Sequence, residues 1–236
     1  MGFILDPLYW IVSGVMVVIH KALSPIFGAA SGVTWSLSIV GLVILIRTLL
    51  IPLFVKQIKS QRALTALSPE MKKIQQKYKD DRQKQSEELM KLYKEHKTNP
   101  MASCFPILAQ APIFFALFTV LNGIGKNPPQ ARGVLTTELA AQAAQAEFFG
   151  ARISQTFLGS ADSTVKIVTV LLIALMSLTT FTTQRQLMVK GMPKLDSSNN
   201  MMLQQQKVML YLFPVIFAVS GVNFPIGVLI YWSTTN

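Results

Sequence analysis

The feature that most constrains this chain is a succession of apolar runs close to the length of a bilayer crossing. A helix needs about 20 mostly apolar residues to cross the hydrocarbon core. Residues 35–54, WSLSIVGLVILIRTLLIPLF, meet that requirement, with Trp35 placed for one interface. Residues 101–124 form a second run, interrupted by Pro106 and Pro112. Residues 164–183 form a third, with Lys166 at one end able to snorkel. Residues 208–222 are a shorter fourth run containing Pro214. A fifth begins at 224 and reaches Asn236 after 13 residues, too few to span, so the native chain is expected to continue. Only 14% of the 236 residues are charged, against about 25% in a soluble domain. The expected fold is an all-α polytopic membrane bundle.

Basic residues are unevenly distributed. Residues 56–98 hold twelve Lys/Arg against six Asp/Glu, residues 185–207 hold four against one, and residues 125–163 hold three of each. The positive-inside rule places the first two segments in the cytoplasm and the third outside, alternating correctly with four complete spans. The expected division is therefore an N-terminal interfacial helix over 1–30, a first core span over 31–55, a cytoplasmic helical hairpin over 56–99 and a second span over 100–124. An extracytoplasmic loop over 125–163, a third span over 164–184 and a cytoplasmic loop over 185–207 follow. The fourth and truncated fifth spans occupy 208–236. The apolar Leu8–Ile19 run is followed by His20, Lys21 and Pro25. A spanning reading would put Lys21 outside, against the charge rule, so a helix lying on the outer surface is preferred. No signal-peptide pattern is evident at the start of the chain.

In the basic segment, Leu64, Leu67, Met71, Ile74 and Tyr78 repeat at three and four residues, a short coiled-coil seam. Ser68-Pro69-Glu70 reads as a helix start with Ser68 as the capping hydroxyl. Lys79-Asp80-Asp81 reads as a turn, and Leu89, Leu92 and Tyr93 face one side of a second helix ending before Asn99-Pro100. The candidate docking residues are Lys72, Lys73, Lys77, Lys79, Arg82 and Lys84. They offer charge to a nascent chain, a ribosome, a targeting factor or anionic lipid; the alternative is a solvated loop that only sets topology. No motif reads nucleic-acid sequence.

Arg47 is the sharpest feature. It lies about 18 Å into the first span at 1.5 Å per residue, and a central Arg is unfavourable by about 2.5–3.5 kcal/mol and usually faces a protein interior or a wet cavity; the alternative is snorkelling to the cytoplasmic headgroups, about 7–14 Å away at Pro52 and Lys56 by the same rise. No Asp or Glu occurs in any of the runs to pair with it. Candidate cavity partners are Gln110 and Thr119 on the second span, Ser177, Thr179, Thr180, Thr182, Thr183 and Gln184 on the third, and Tyr231, Trp232 and Ser233 on the fifth. For any single Ser or Thr, ordinary helix packing is an equally good account.

Catalysis finds little support. His20 and His96 are far apart and make no metal spacing; Cys104 and Ser220 have no evident base; no GxxxxGK[ST] loop is present. No cofactor or metal is expected. A small-molecule or ion transporter is the alternative, since it too would hold an intramembrane charge. Met188, Met192, Met201 and Met202 in the second basic loop could greet apolar partners, although a membrane-associated loop is the plainer account. ELAAQAAQAEFF, outside, is expected to be helical, with Phe148 and Phe149 touching the interface and no function assigned to it.

Together these pieces resemble the YidC family of membrane protein insertases. IRTLLIPLFVKQ resembles the family's first core span. LSPEMKKIQQKYKDDRQKQSEELMKLYKEHKTNPMASCFPILAQAPIFFALF is similar to its cytoplasmic hairpin running into the next span, and LFPVIFAVSGVNFPIGVLIYW to its last two spans. The resemblance implies five core spans around a hydrophilic groove open to cytoplasm and lipid. Arg47 takes the place of the groove arginine, Gln184 and Trp232 fall near groove positions, and DPLYWIVSGVMVVIHK matches the outer interfacial helix. It further implies a bacterial plasma-membrane protein without covalent chemistry. The implied partners are nascent membrane proteins and lipid, with the ribosome, the signal recognition particle pathway and the Sec translocon as candidates. The resemblance also implies the mechanism: Arg47 draws an acidic tail into the groove, and the substrate's apolar segment leaves into lipid.

Overall fold

The computed structural model describes residues 2–96, 98, 105–191 and 208–235. In chain order these form α1 (Gly2–Phe27), α2 (Gly32–Ala66), α3 (Ser68–Lys77), α4 (Arg82–Glu95), α5 (Phe105–Ile124) and α6 (Thr137–Gln145). A two-stranded ribbon of β1 (Glu147–Phe148) and β2 (Ala151–Arg152) precedes α7 (Ser163–Gly191). A π-helical turn (Val208–Leu212) leads into α8 (Phe213–Gly221), and α9 (Ile226–Thr235) completes the described chain.

Three stretches are long and apolar enough to cross a membrane: Leu5–Phe27, Gly32–Ser60 and Ser163–Gln186. Shorter apolar helices occupy Gln110–Ile124, Leu210–Gly221 and Ile226–Thr235. They meet in one core built from Met16 of α1, Trp35, Ile39 and Leu42 of α2, Leu117 and Val120 of α5, Met176 of α7 and Leu229 of α9. The opposite faces of α2, α7 and α8 carry exposed Ile44, Leu49, Leu171, Leu178, Val215 and Val219. Apolar on both sides is the pattern of helices that face lipid outwards and protein inwards.

One end of the bundle is capped by residues 125–162. The amide of Ile226 donates to Gln155 O at 3.0 Å and that of Gly227 to Ile153 O at 2.9 Å, so the cap satisfies donors that the first turn of α9 cannot use internally. The amide of Leu158 donates to Val222 O at 3.3 Å. Thr136 caps α6 by accepting from the Leu139 amide. Gly32, the first residue of α2, lies so close beneath β1 that a Cβ there would sit 1.7 Å from Glu147 O. The stretch ELAAQAAQAEFF is therefore helical only as far as Gln145. Glu147 pairs with Arg152 and Phe148 with Ala151 around a Phe149-Gly150 turn. Both turn residues have positive φ, 50° and 78°, the signature of a tight hairpin.

At the other end, α2 continues past the expected boundary at 55 to Ala66. Residues 56–66 contain no Gly or Pro to stop it. The hairpin proper is α3 against α4, with Leu67 and Leu92 buried in the seam. Its register is antiparallel: the Tyr93 hydroxyl meets Met71 Sδ at 3.7 Å and Gln85 Nε2 donates to Gln75 O at 3.2 Å. Ser68 is not the cap. The capping position falls on Leu67 with no side-chain bond, and Ser68 is already helical, because α2 runs almost directly into α3 and leaves no extended residue for a hydroxyl cap. Asp81 does cap α4, accepting from the Lys84 amide at 3.0 Å.

Candidate functional site

Arg47 lies about fifteen residues into α2 and is half-buried. Its guanidinium donates to the main-chain carbonyl of Thr235 in α9. Its other face lies over the Phe54 ring, 5.4 Å from Cζ to the centroid. Phe54 is seven residues on, two turns along the same helix face. Among the described residues no ion pair involves Arg47.

Beside Arg47 is a cavity of about 10 Å³, walled by Val43, Ile46, Ile113 and Leu117 and given its polarity by Arg47, Gln110, Tyr231 and Thr235. It has room for about one water. Gln110 Oε1 is buried with no hydrogen-bond partner in the structure. A buried acceptor beside a cation can bond a water or another polar group that enters the cavity.

Three of the six groove candidates, Arg47, Gln110 and Tyr231, thus share one cavity. Trp232 lies beside it in an aromatic cluster, its ring centroid 4.5 Å from Phe217, 5.4 Å from Phe114 and 5.7 Å from Phe224. Phe114 also packs on Tyr231, joining cluster and cavity. Thr180 is buried and Gln184 half-buried on α7, outside the cavity lining. Thr119, Thr179 and Thr182 bond carbonyls of their own helices, the ordinary behaviour of helical hydroxyls. Ser233 reaches across to Leu172 O at 3.5 Å. Sequence reasoning missed Phe54 and Thr235. The first was open to discovery from its seven-residue spacing to Arg47; the second acts through its main-chain carbonyl and left no side-chain signal.

On the hairpin, Lys73, Lys77, Lys79, Arg82 and Lys84 are exposed and Lys72 is half-buried. Lys77 lies over the Tyr78 ring at 5.1 Å, and Lys84 is 4.0 Å from Asp81. Lys91 is held between Glu88 at 2.8 Å and Glu87 at 3.1 Å. The hydrogen bond from Lys91 lowers the Glu88 carboxyl below its usual range, and the two carboxylates raise Lys91. Burial raises the Tyr93 phenol. Leu64, Cys104, Met188, Met192, Met201 and Met202 fall outside the described side chains. Among the described residues no three His, Cys, Asp or Glu side chains gather as metal ligands.

A mostly helical chain with apolar helices long enough to span a membrane, a basic hairpin at one end and Arg47 beside a small cavity has the build of a polytopic membrane protein. Residues 26–236 match the family described as 60Kd inner membrane protein, and the chain belongs to that family. It is 51% identical over its whole length to a protein of Streptomyces avermitilis named membrane protein insertase YidC, of which it covers 55%. It is 36% identical to a protein of that name from Tropheryma whipplei, with 99% of this chain and 80% of the relative aligned. The relative from Bifidobacterium longum is 35% identical, with 99% and 72% aligned. The chain therefore spans about half of the first of these proteins and most of the other two. These comparisons give the transporter alternative no support.

Proposed function

We propose that this protein is an insertase that moves apolar segments of nascent membrane proteins into the bilayer and assists their folding, without covalent chemistry. The observation that carries this reading is Arg47: a half-buried cation with no ion-pair partner among the described residues, facing a cavity that also holds the orphan Gln110 Oε1. Arg47 exchanges its neutral Thr235 carbonyl for the acidic tail of a substrate. Charges attract more strongly there than in water. The substrate's apolar side chains then enter lipid, which drives the step at about 25 cal/mol per Å².

In this reading five core spans surround the site, the hairpin lies in the cytoplasm of a bacterium and the 125–162 cap lies outside. The charge asymmetry of the loops supports that orientation. The contacts of α1 support an interfacial position: Ser13 Oγ accepts from the Val134 amide at 2.8 Å, Arg132 lies over the Tyr9 ring at 5.3 Å, and His20 Nε2 bonds Ala29 O at 2.8 Å. Both halves of α1 are thus tied to the capped end. The cation-rich hairpin serves as the docking arm for the ribosome, the targeting pathway or the Sec translocon.

The test is reconstitution of the full protein alone in liposomes, with protease protection of a single-span substrate as the readout. Insertion above protein-free liposomes is expected. No insertion by folded, correctly oriented protein would overturn the reading.

A further inference from the structure

The β1–β2 turn carries a residue that its backbone does not favour. Phe149 occupies the first central position of a tight hairpin at φ 50°, where Asn, Asp or Gly is the ordinary choice. It is 79% exposed, with its ring T-shaped to that of Phe148, 4.6 Å between centroids. Most of the aromatic surface is thus left open rather than packed within the fold. An observed outlier of this kind points to a role outside the fold.

The turn's neighbours fix its level. Gly150 lies against Thr164, in the first turn of α7, with a Cβ position 3.4 Å from Cγ2. Ile167, 60% exposed on α7, follows three residues later, about 4.5 Å deeper along the helix. On the other side, Glu147 sits on Gly32 at the start of α2, and exposed Val33 and Leu37 follow directly. The β1–β2 turn that carries exposed Phe149 therefore lies at the ends of α2 and α7 from which their exposed apolar surfaces begin. Arg152, in the ribbon itself, and Lys166, two residues into α7 from Thr164, are both exposed. An aromatic ring with flanking cations at the rim of an apolar belt is the composition of a membrane–water interface.

We propose that the Phe149 turn is a lipid anchor: its ring enters the boundary between headgroups and acyl chains of the leaflet at the capped end, and so holds the 125–162 cap on the bilayer. The cap supplies the hydrogen bonds at the start of α9 and covers the start of α2, so the anchor fixes those helix ends relative to lipid. The proposal rests on α2 and α7 crossing the bilayer; it does not depend on Arg47 or on insertion activity.

The experiment uses the full chain with Cys104→Ser and a single environment-sensitive fluorophore on Phe149→Cys, in phosphatidylcholine–phosphatidylglycerol vesicles. Quenching is compared for nitroxide lipids labelled near the headgroup and near the chain end. Lys84→Cys on the hairpin is the aqueous reference and Leu171→Cys on α7 the deep one. Blue-shifted emission and stronger quenching by the shallow nitroxide are expected at Phe149→Cys. Emission and quenching equal to Lys84→Cys, or quenching dominated by the deep nitroxide, would overturn the proposal. Loss of deep quenching at Leu171→Cys would instead show that the spanning reading itself fails. A second variant, Phe149→Asn, suits the turn and removes the ring. With the fluorophore on Glu147→Cys, it is expected to weaken shallow quenching, and unchanged quenching would count against the ring as the anchor.

Discussion

If Arg47 works by charge, its effect must depend on the charge of the substrate's tail. Two unit charges 4 Å apart attract by about 4 kcal/mol at an effective dielectric constant near 20, and by about 1 kcal/mol in bulk water. Arg47 is half-buried beside a cavity with room for about one water, so its interaction falls between those limits. Part of the gain is offset because the guanidinium must leave the Thr235 carbonyl, and a hydrogen bond to a charged group is worth about 1.5–3 kcal/mol. The net coupling is therefore at most about 2.5 kcal/mol, or roughly 70-fold. The assay is a double-mutant cycle in proteoliposomes: initial insertion rates for a single-span substrate with one tail Asp, and for its Asn counterpart, by wild type, Arg47→Ala and Arg47→Lys. Arg47→Ala should slow the Asp substrate far more than the Asn substrate, and Arg47→Lys should keep most of the preference. Equal slowing of both substrates by Arg47→Ala would refute the charge mechanism, because the arginine would then be needed only for packing or hydration.

Phe54 holds one face of the same guanidinium; an exposed cation–π contact is worth about 0.5–1 kcal/mol and more when desolvated. Phe54→Leu should lower the preference for acidic tails several-fold in the same cycle while Phe54→Tyr retains it; equal loss in both would reject the contact. Gly32→Ala places a Cβ 1.7 Å from Glu147 O, and overpacking against main chain costs about 1–3 kcal/mol or more, so a lower midpoint of thermal unfolding in detergent is expected. Leu92 is buried in the hairpin seam, and Leu92→Ala should cost about 2–5 kcal/mol locally, read as faster amide exchange across α3 and α4 with α2 unchanged. Glu88 has a depressed folded-state pKa because Lys91 donates to it. Its contribution is therefore present above the unfolded carboxylate pKa and fades as pH falls through the lower folded value. NMR titration of Glu88 should show that low midpoint, and Lys91→Met should return it to the ordinary range.

What was legible in the sequence, and what was not, divides by the range of the interactions involved. Local periodicity sufficed for the hairpin: the seam through Leu67, Met71 and Leu92, and the turn before Asp81, need only neighbouring turns of helix. An arginine in an apolar run likewise points to a polar cavity or to snorkelling, and Arg47 lies beside a cavity it shares with Gln110 and Tyr231. The partners of that arginine are a different matter. Thr235 is 188 residues away, and its carbonyl carries no side-chain signal, so any residue type could have supplied the same acceptor. The β1–β2 ribbon was hidden for another reason. Ala-rich sequence before it favours helix, and Gly150 permits a turn without demanding one; what decides the matter is Gly32, whose missing Cβ lets the Glu147 backbone settle on α2 from more than a hundred residues away. The Ser68 cap failed for the converse reason, because a locally sound capping pattern was overridden by the continuation of α2 to Ala66. The candidate site sits where these cases meet. Gln110 and Tyr231 were identifiable as polar residues on apolar helices, but the packing of α2, α5 and α9 is what turns them into a single cavity with Arg47.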